Sequence, residues 1–372
     1  MLEVIKYLNA CITDHPYDTL AELKEEFGIK HSHSEEYPEL YVLNYCQIDS
    51  PKFNPITGEC RSLVVEYVKQ GEWKVVSRSF DRFFNYGETD CGYNASELIA
   101  NEKMDGSLIG VFFHENYGWL YRTRSMIMPT GPVNAMGTTW KELIEEALGT
   151  KWFAESSLVT SHPGFTFILE VTSPENRIVT RYEGRNMTLL AARSKDGMYL
   201  NPEAADNIAN RCGWNVPQRW TFESMADCAQ GAQDLRDLNE GYVMYNRLGE
   251  PVCKVKNPAY VAAHHLRGEG VLTPKRVVNL LEINEMAEYL SIFPEDAGKM
   301  EPYVRAYFKV FAEAETLWTL YSTVTDQKEF ALKVAKSPVA TLLFRKRQGN
   351  DFKESFANMT VKNRTALVEK FV

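Results

Sequence analysis

The sequence predicts an α+β region over residues 1–256 followed by an all-helical region over residues 257–372. Three observations carry that division. Short runs rich in β-branched and aromatic residues, separated by turn residues, recur from Glu59 to Lys256. Beyond Pro258 the apolar residues adopt helical spacing and turn signals become few. The composition, 44% hydrophobic and 24% charged over 372 residues, is that of a globular chain with material for more than one core.

The elements follow in order. "MLEVIKYLNACITDHPYD" reads as a short amphipathic helix and lacks the cationic start and long apolar run of a secretory signal. The runs "ECRSLVVEYV", "EWKVVSRSF", "SLIGVFFH", "GWLYRTRSMI", "FTFILEVTS", "MTLLAARS", "EGYVMYNRLGE" and "PVCKVKN" read as strands. "TTWKELIEEAL" and "NPEAADNIANRCGW" read as helices between them. In the tail, "PKRVVNLLEINEMAEYLSIF", "EPYVRAYFKVFAEAETLWTLYSTV" and "SPVATLLFRKR" read as helices.

Charge and cysteine usage narrow the function classes. The net charge of −9 argues against a surface covered in general nucleic-acid contacts. Residues 257–372 carry 16 Lys and Arg against 14 Asp and Glu, a balance of +2, which leaves −11 for residues 1–256. From Lys333 to Lys370 there are nine basic and three acidic residues, including Arg345–Arg347. That stretch is either a solvated helical face or a local patch for phosphates. Cys11, Cys46, Cys60, Cys91, Cys212, Cys228 and Cys253 are scattered, odd in number and free of a Cys-x-x-Cys pair, which disfavours a disulfide framework or a zinc site. The adjacent His264 and His265 project differently in regular structure and make a poor metal pair. No apolar run reaches the roughly 20 residues of a membrane span, and a reducing cytoplasm is the expected compartment.

"NEKMDGSLIGVF" sets one lysine before an Asp-Gly turn. Asp-Gly between apolar runs signals a hairpin, in which Lys103 is an ordinary surface charge. The other reading makes Lys103 a nucleophile at a bend, which requires cations or desolvation nearby to favour the neutral amine. "CKVK" supplies Lys254 and Lys256 at i and i+2, on one face of a strand. Glu170 ends an apolar run where a charge needs a partner or a function, and Glu240 precedes Gly and a strand. Arg61, Arg78 and Arg82 lie upstream, the last within "FDRFFNYGE", whose aromatic residues suit core packing or base stacking.

The order Lys-x-Asp-Gly, acid at a strand end, Glu-Gly and Lys-x-Lys resembles the covalent nucleotidyltransferase superfamily of ligases and capping enzymes. "ECRS", "SRSFDRFFNYGE", "EKMDGS", "FTFILEVTSPENRIV", "NEGYVMYNR" and "CKVKNPAYVAAH" are more closely similar to the bacteriophage RNA ligase 1 family, over residues 55–265. That resemblance implies a nucleotidyltransferase domain of antiparallel sheets with flanking helices over 1–256, and an all-helical, tRNA-recognising domain over 257–372. It implies lysyl-AMP on Lys103, with Asp105 and Gly106 shaping its turn. It places Glu170 on the nucleoside, Arg61 on the nucleotide, and Lys254 and Lys256 on the triphosphate. Glu240 would place Mg2+, for which Mn2+ could substitute. Arg82 and Arg124 stand where the family carries lysine, in phosphate-binding positions, and Ser62 stands where it tends to carry Gly.

The function implied is ATP-dependent joining of RNA 3′-OH and 5′-phosphate ends through lysyl-AMP and RNA-adenylate. The substrate implied is nicked tRNA, its ends prepared by a polynucleotide kinase/phosphatase, in the host cytoplasm for a phage-encoded enzyme. DNA ligation, RNA capping and a catalytically silent RNA-binding role are the alternatives. The helical tail disfavours the first two, whose enzymes typically continue into an OB-fold.

Overall fold

A computed structural model describes residues 1–11, 15–68, 71–89, 92–133, 137–153, 159–268 and 272–372. Cys91 lies outside them, and the other six cysteines are free. The chain forms two compact units, Met1–Val261 and Ala262–Val372. The division falls inside the helix Pro258–Arg267, a few residues beyond the expected cut at 256/257.

Three sheets build the first unit. One runs Ile29–Ser34, Tyr37–Tyr45, Arg61–Val68, Glu72–Ser77, each strand antiparallel to the next. The second has the order Asn186–Ser194, Phe165–Thr172, Ser107–His114, Gly118–Arg122, again antiparallel. The third has the order Arg219–Trp220, Ile99–Glu102, Gly241–Tyr245, Pro251–Lys256, Phe84–Asn85, and only its last pair is parallel.

Side-chain alternation along the strands explains the layering. In the first sheet Tyr41, Leu43, Leu63, Val65 and Trp73 face the helices Glu3–Ala10 and Pro16–Phe27. Their neighbours Leu40, Val42, Val64 and Val76 instead pack on Phe112 and Leu120 of the second sheet. The second sheet turns Ile109, Val111, Phe167 and Leu169 toward the helices Trp140–Leu148 and Pro202–Cys212. Its Ile168 and Ala191 meet Phe80, Val243 and Tyr245 at the third sheet. The third sheet is backed by the helix Met225–Gln233 through Cys228 and Ala232.

Several elements differ from the sequence reading. "IKHSHS" and "YPELYVLNY" are strands, although the first is built of Ser, His and Lys and carries no apolar alternation. The strand read as "EWKVVSRSF" stops at Ser77, where Arg78 turns into an ion-pair network with Asp81 (3.0 Å) and Arg193.

Among the described residues the second unit's regular structure is all helical, and its core joins Val278, Val310, Ala314, Phe330, Leu342 and Phe356. Thr273, Asp326, Asp351 and Thr360 cap four of its helices with side-chain oxygens. Arg347, in the basic run read as either a solvated face or a phosphate patch, donates to the carbonyls of Val324 (2.7 Å) and Thr325 (2.6 Å) and lies over Phe330.

Candidate active site

Lys103 lies on a link between two sheets, not on a hairpin. The strand Ile99–Glu102 pairs with Gly241–Tyr245 in the third sheet, whereas Ser107–His114 pairs with Phe165–Thr172 in the second. Lys103 N donates to Gly241 O at 2.9 Å as the chain leaves the first strand. At the far end of the bend, a Cβ on Gly106 would lie 2.2 Å from Val171 O, so this close backbone approach requires glycine.

Asp105 is the clamp of the bend. It is buried, and its Oδ2 accepts from Val179 N (2.8 Å) and Thr180 N (2.7 Å). Its Oδ1 accepts from the Tyr260 hydroxyl at 2.6 Å, and its own N–H donates to the Tyr182 hydroxyl at 3.0 Å. Both carboxylate oxygens are thus consumed by structure, which leaves the chemistry of the bend to the lysine.

Glu240 joins two of the expected lysines. Its Oε2 is 2.5 Å from Lys103 Nζ and its Oε1 is 3.0 Å from Lys256 Nζ. The register that sets Gly241 opposite Lys256 makes this possible. A Cβ on Gly241, whose φ is +133°, would lie 2.1 Å from Val255 O. Burial alone raises the Glu240 carboxyl; the ammonium groups of Lys103 and Lys256 more than offset it and hold the group below its ordinary value.

Glu170, Lys254 and Arg61 complete the surroundings. Glu170 is paired with Leu108 across the strands and feels the charges of Lys103, Glu240 and Arg61. Burial pushes its carboxyl up to about 8. Lys254 lies with Nζ 4.6 Å from the Phe83 ring centre. Burial, reinforced by Arg61, Lys103 and Lys256, brings it down to about 7. Arg61 stands 5.0 Å from the same ring, and its buried Nη1 has no hydrogen-bond partner among the described residues.

Arg82 and Arg124 flank a residue that the sequence reading missed. The Arg82 guanidinium is 4.3 Å from the Tyr45 ring centre, and that of Arg124 is 5.6 Å from it. Arg82 Nη1 is also buried and unpartnered among the described residues, whereas Arg124 is exposed. Tyr45 and Arg124, with Lys30, His31, Asn44 and Ser125, line a cavity of about 390 Å³.

Ser62 adopts φ +54°, the left-handed conformation that favours glycine. It is fully buried, accepts that geometry, and donates its hydroxyl to Arg124 O at 2.9 Å. Behind the site Arg122 is wholly buried with no carboxylate acting on it. It donates to Ser77 Oγ (3.3 Å) and Thr123 O (3.4 Å), and its Nη2 has no partner among the described residues. Its guanidinium is packed against Gly110, where a Cβ would lie 2.8 Å from the central carbon.

Among the described residues an acid-histidine group, Glu39, Glu66 and His114, was not anticipated. His114 Nδ1 accepts from Asn116 N at 3.2 Å. Its Nε2 lies 3.6 Å from Glu66 Oε2, an ion-pair geometry that argues for a structural role rather than a metal site.

Residues 59–260 match the family model described as RNA ligase. A baculovirus protein of Autographa californica nuclear polyhedrosis virus, named for polynucleotide kinase and RNA ligase activities, is 28% identical over 94% of this chain and 51% of its own. This chain therefore spans about half the length of that relative. An RNA ligase of Rhodothermus phage RM378 is 24% identical over 79% of this chain and 82% of its own. Among solved structures, an archaeal ATP-dependent RNA ligase is 14% identical, with 90% of this chain and 79% of that one covered and a TM-score of 0.48. No helix of the described residues is long and apolar enough to cross a membrane.

Proposed function

The chain belongs to the RNA ligase family, and from that premise we propose that it joins RNA 3′-OH and 5′-phosphate ends at the expense of ATP. The observation that carries the reading is Lys103 held at 2.5 Å by Glu240 in a site whose unsatisfied groups, Arg61 Nη1 and Arg82 Nη1, are cationic donors suited to phosphate oxygens.

The reaction proceeds in three displacements. Lys103 Nζ, having lost a proton, attacks the α-phosphorus of ATP; an N–P bond forms and the bond to pyrophosphate breaks. An oxygen of the RNA 5′-phosphate then attacks that phosphorus, and the N–P bond breaks with return of a proton to lysine. Finally the RNA 3′-hydroxyl attacks the activated 5′-phosphorus, loses its proton and expels AMP. Lys256, Arg61, Arg82 and Arg124 bind and orient the phosphates, where positive charge favours the transition state, and Lys254 joins them where the phosphates draw a proton onto it. Glu170, neutral at pH 7, is a hydrogen-bond donor available to the nucleoside.

Glu240 is a hard oxygen donor of the type that holds Mg2+ or Mn2+ together with substrate phosphates. Both its oxygens are engaged by ammonium groups, so a cation would compete with Lys103 for the carboxylate. Such a cation would offset charge on the phosphate oxygens.

The helical unit is proposed to recognise structured RNA, with nicked tRNA as the substrate, in a host cytoplasm. A kinase that supplies the 5′-phosphate is the proposed upstream partner, in keeping with the double name of the baculovirus relative. Incubation with labelled ATP or GTP and Mg2+, followed by denaturation, tests the activity. An acid-labile label on the protein from ATP alone is expected. Label from GTP would point to capping chemistry, and label from neither to a silent RNA-binding protein.

A further inference from the structure

Beside the cationic site lies an aromatic surface that none of these roles uses. Phe53 is 71% exposed, and its ring centre is 5.3 Å from that of Phe84 at an interplanar angle of 46°. Arg82 stands 5.4 Å and Lys52 5.8 Å from the Phe84 ring centre. A single exposed apolar side chain is ordinary. An exposed ring packed on a half-buried one, with Arg82 and a Lys52 that also pairs with Glu88 at 3.6 Å beside them, has the composition that single-stranded nucleic acid binds, with bases on the rings and phosphates on the cations.

The surface is also fixed relative to the site. Phe84 opens the two-residue strand that pairs Cys253 with Phe84 and Lys254 with Asn85, and Tyr86 N donates to Lys254 O at 2.7 Å. On the Phe53 side, Asn54 caps the helix Pro55–Glu59, and the Thr57 hydroxyl donates to Pro51 O at 2.6 Å. Arg82 N donates to Gly58 O at 2.8 Å, which joins the two segments.

We propose that the Phe53–Phe84 pair is the stacking platform for the 5′-terminal nucleobase of the RNA strand that receives AMP, with Lys52 and Arg82 on its phosphates. This assignment rests on the ligase reading. Its choice of strand follows from in-line displacement: the RNA 5′-phosphate attacks lysyl-AMP opposite the lysine nitrogen, from the side that pyrophosphate vacated. The cations proposed for the triphosphate, Arg82 among them, are then open to the incoming 5′-phosphate. The first base of that strand lies one nucleotide's reach away, where Phe53 and Phe84 are.

The test compares wild type, Phe53→Ala and Phe53→Tyr in two half-reactions: lysyl-AMP formation from ATP, and AMP transfer to a 5′-phosphorylated RNA. The transfer is repeated on the same RNA with an abasic 5′-terminal nucleotide, and joining is measured with an abasic 3′-terminal nucleotide on the other strand. Phe53→Ala is expected to lower transfer about tenfold more than it lowers lysyl-AMP formation, as loss of one stacked base would. Phe53→Tyr should restore it. On the abasic 5′ end the wild type should fall to the level of Phe53→Ala, so that the difference between them vanishes. Equal transfer by wild type and Phe53→Ala, or a loss that persists undiminished on the abasic 5′ end, would overturn the assignment while leaving the ligase reading intact. A difference abolished instead by the abasic 3′ end would overturn the choice of strand. Absence of lysyl-AMP in the wild type would overturn the ligase reading and this assignment with it.

Discussion

Lys103 Nζ and Glu240 Oε2 are 2.5 Å apart, so the lysine expected to attack phosphorus is donating to a carboxylate. An ammonium in that pair has no lone pair to offer. Glu240 thus positions the nucleophile, and Lys103 must lose a proton before the first step. Lys103→Ala should abolish lysyl-AMP formation yet still seal RNA that already bears a 5′-adenylate. Glu240→Ala should cost on the order of 100-fold in lysyl-AMP formation, in line with the loss of one preorganised electrostatic contact. Glu240→Gln should retain more of it if shape matters as well as charge. Quench-flow measurement of labelled-AMP transfer decides, and wild-type rates in Lys103→Ala would refute the assignment.

Glu170 makes stability depend on pH. Its folded-state pKa is about 8, above the ordinary 4.5, so the folded protein binds more protons between those values and stability falls as pH rises through that window. Glu170→Gln removes this slope. Its melting temperature should match the wild type near pH 5 and exceed it by several degrees at pH 8.5. A difference that stays constant across the range would show that Glu170 is not held protonated.

Ser62 combines a cost with a compensation. Its left-handed backbone costs about 1 kcal/mol relative to glycine, and its hydroxyl recovers about 1 kcal/mol through Arg124 O. Ser62→Gly should therefore be close to neutral in urea unfolding. Ser62→Ala keeps the strained φ and loses the bond, and should be about 1 kcal/mol less stable than wild type. Equal stability of Ala and Gly variants would remove this account.

Arg122 is a buried cation with no carboxylate partner, and Arg61 is the charged group that acts on it. Such a charge is costly in the folded protein, and through its coupling to Arg61 it would favour phosphates bound there. Arg122→Met should raise unfolding stability by about 1–3 kcal/mol and weaken ATP binding severalfold. Thermal shifts with and without ATP read both effects. Lower stability with unaltered ATP affinity would make Arg122 purely architectural.

Arg347 closes the segment at Val324 and Thr325 with two hydrogen bonds. Arg347→Ala should lower the stability of the helical unit by about 1–3 kcal/mol, as monitored by urea unfolding. Arg345→Ala, whose guanidinium is not so engaged, should leave stability unchanged. If the two variants unfold alike, the basic run is a solvated face after all.

The sheets that bury one face were legible as short apolar runs, as were the three residues Lys103, Glu240 and Lys256 that meet in space. Each of those sits in a local signal: a turn, an acid before Gly, a lysine pair on a strand. What escaped notice is held by distant contacts. Tyr260 reaches Asp105 across 155 residues, and nothing in "NPAY" marks it as a clamp. The strand Ile29–Ser34 is stabilised by its neighbour Tyr37–Tyr45 and not by its own His and Ser side chains. Of the two readings of the Asp-Gly turn, a hairpin and a bend, the structure shows the bend, because strand pairing sends its two arms to different sheets.

That bend, fastened at Gly241 O on one side and under Val171 O on the other, leaves the lysine a tether without slack. The backbone of the nucleophile is thus fixed, and only its four-carbon side chain moves. In the proposed reaction the triphosphate and then the RNA 5′-phosphate must each be delivered to that fixed backbone, and the 3′-hydroxyl to the 5′-end that leaves it. The traffic belongs to the RNA and the nucleotide: the order in which ends arrive and leave, and not a swing of the protein arm, separates one displacement from the next.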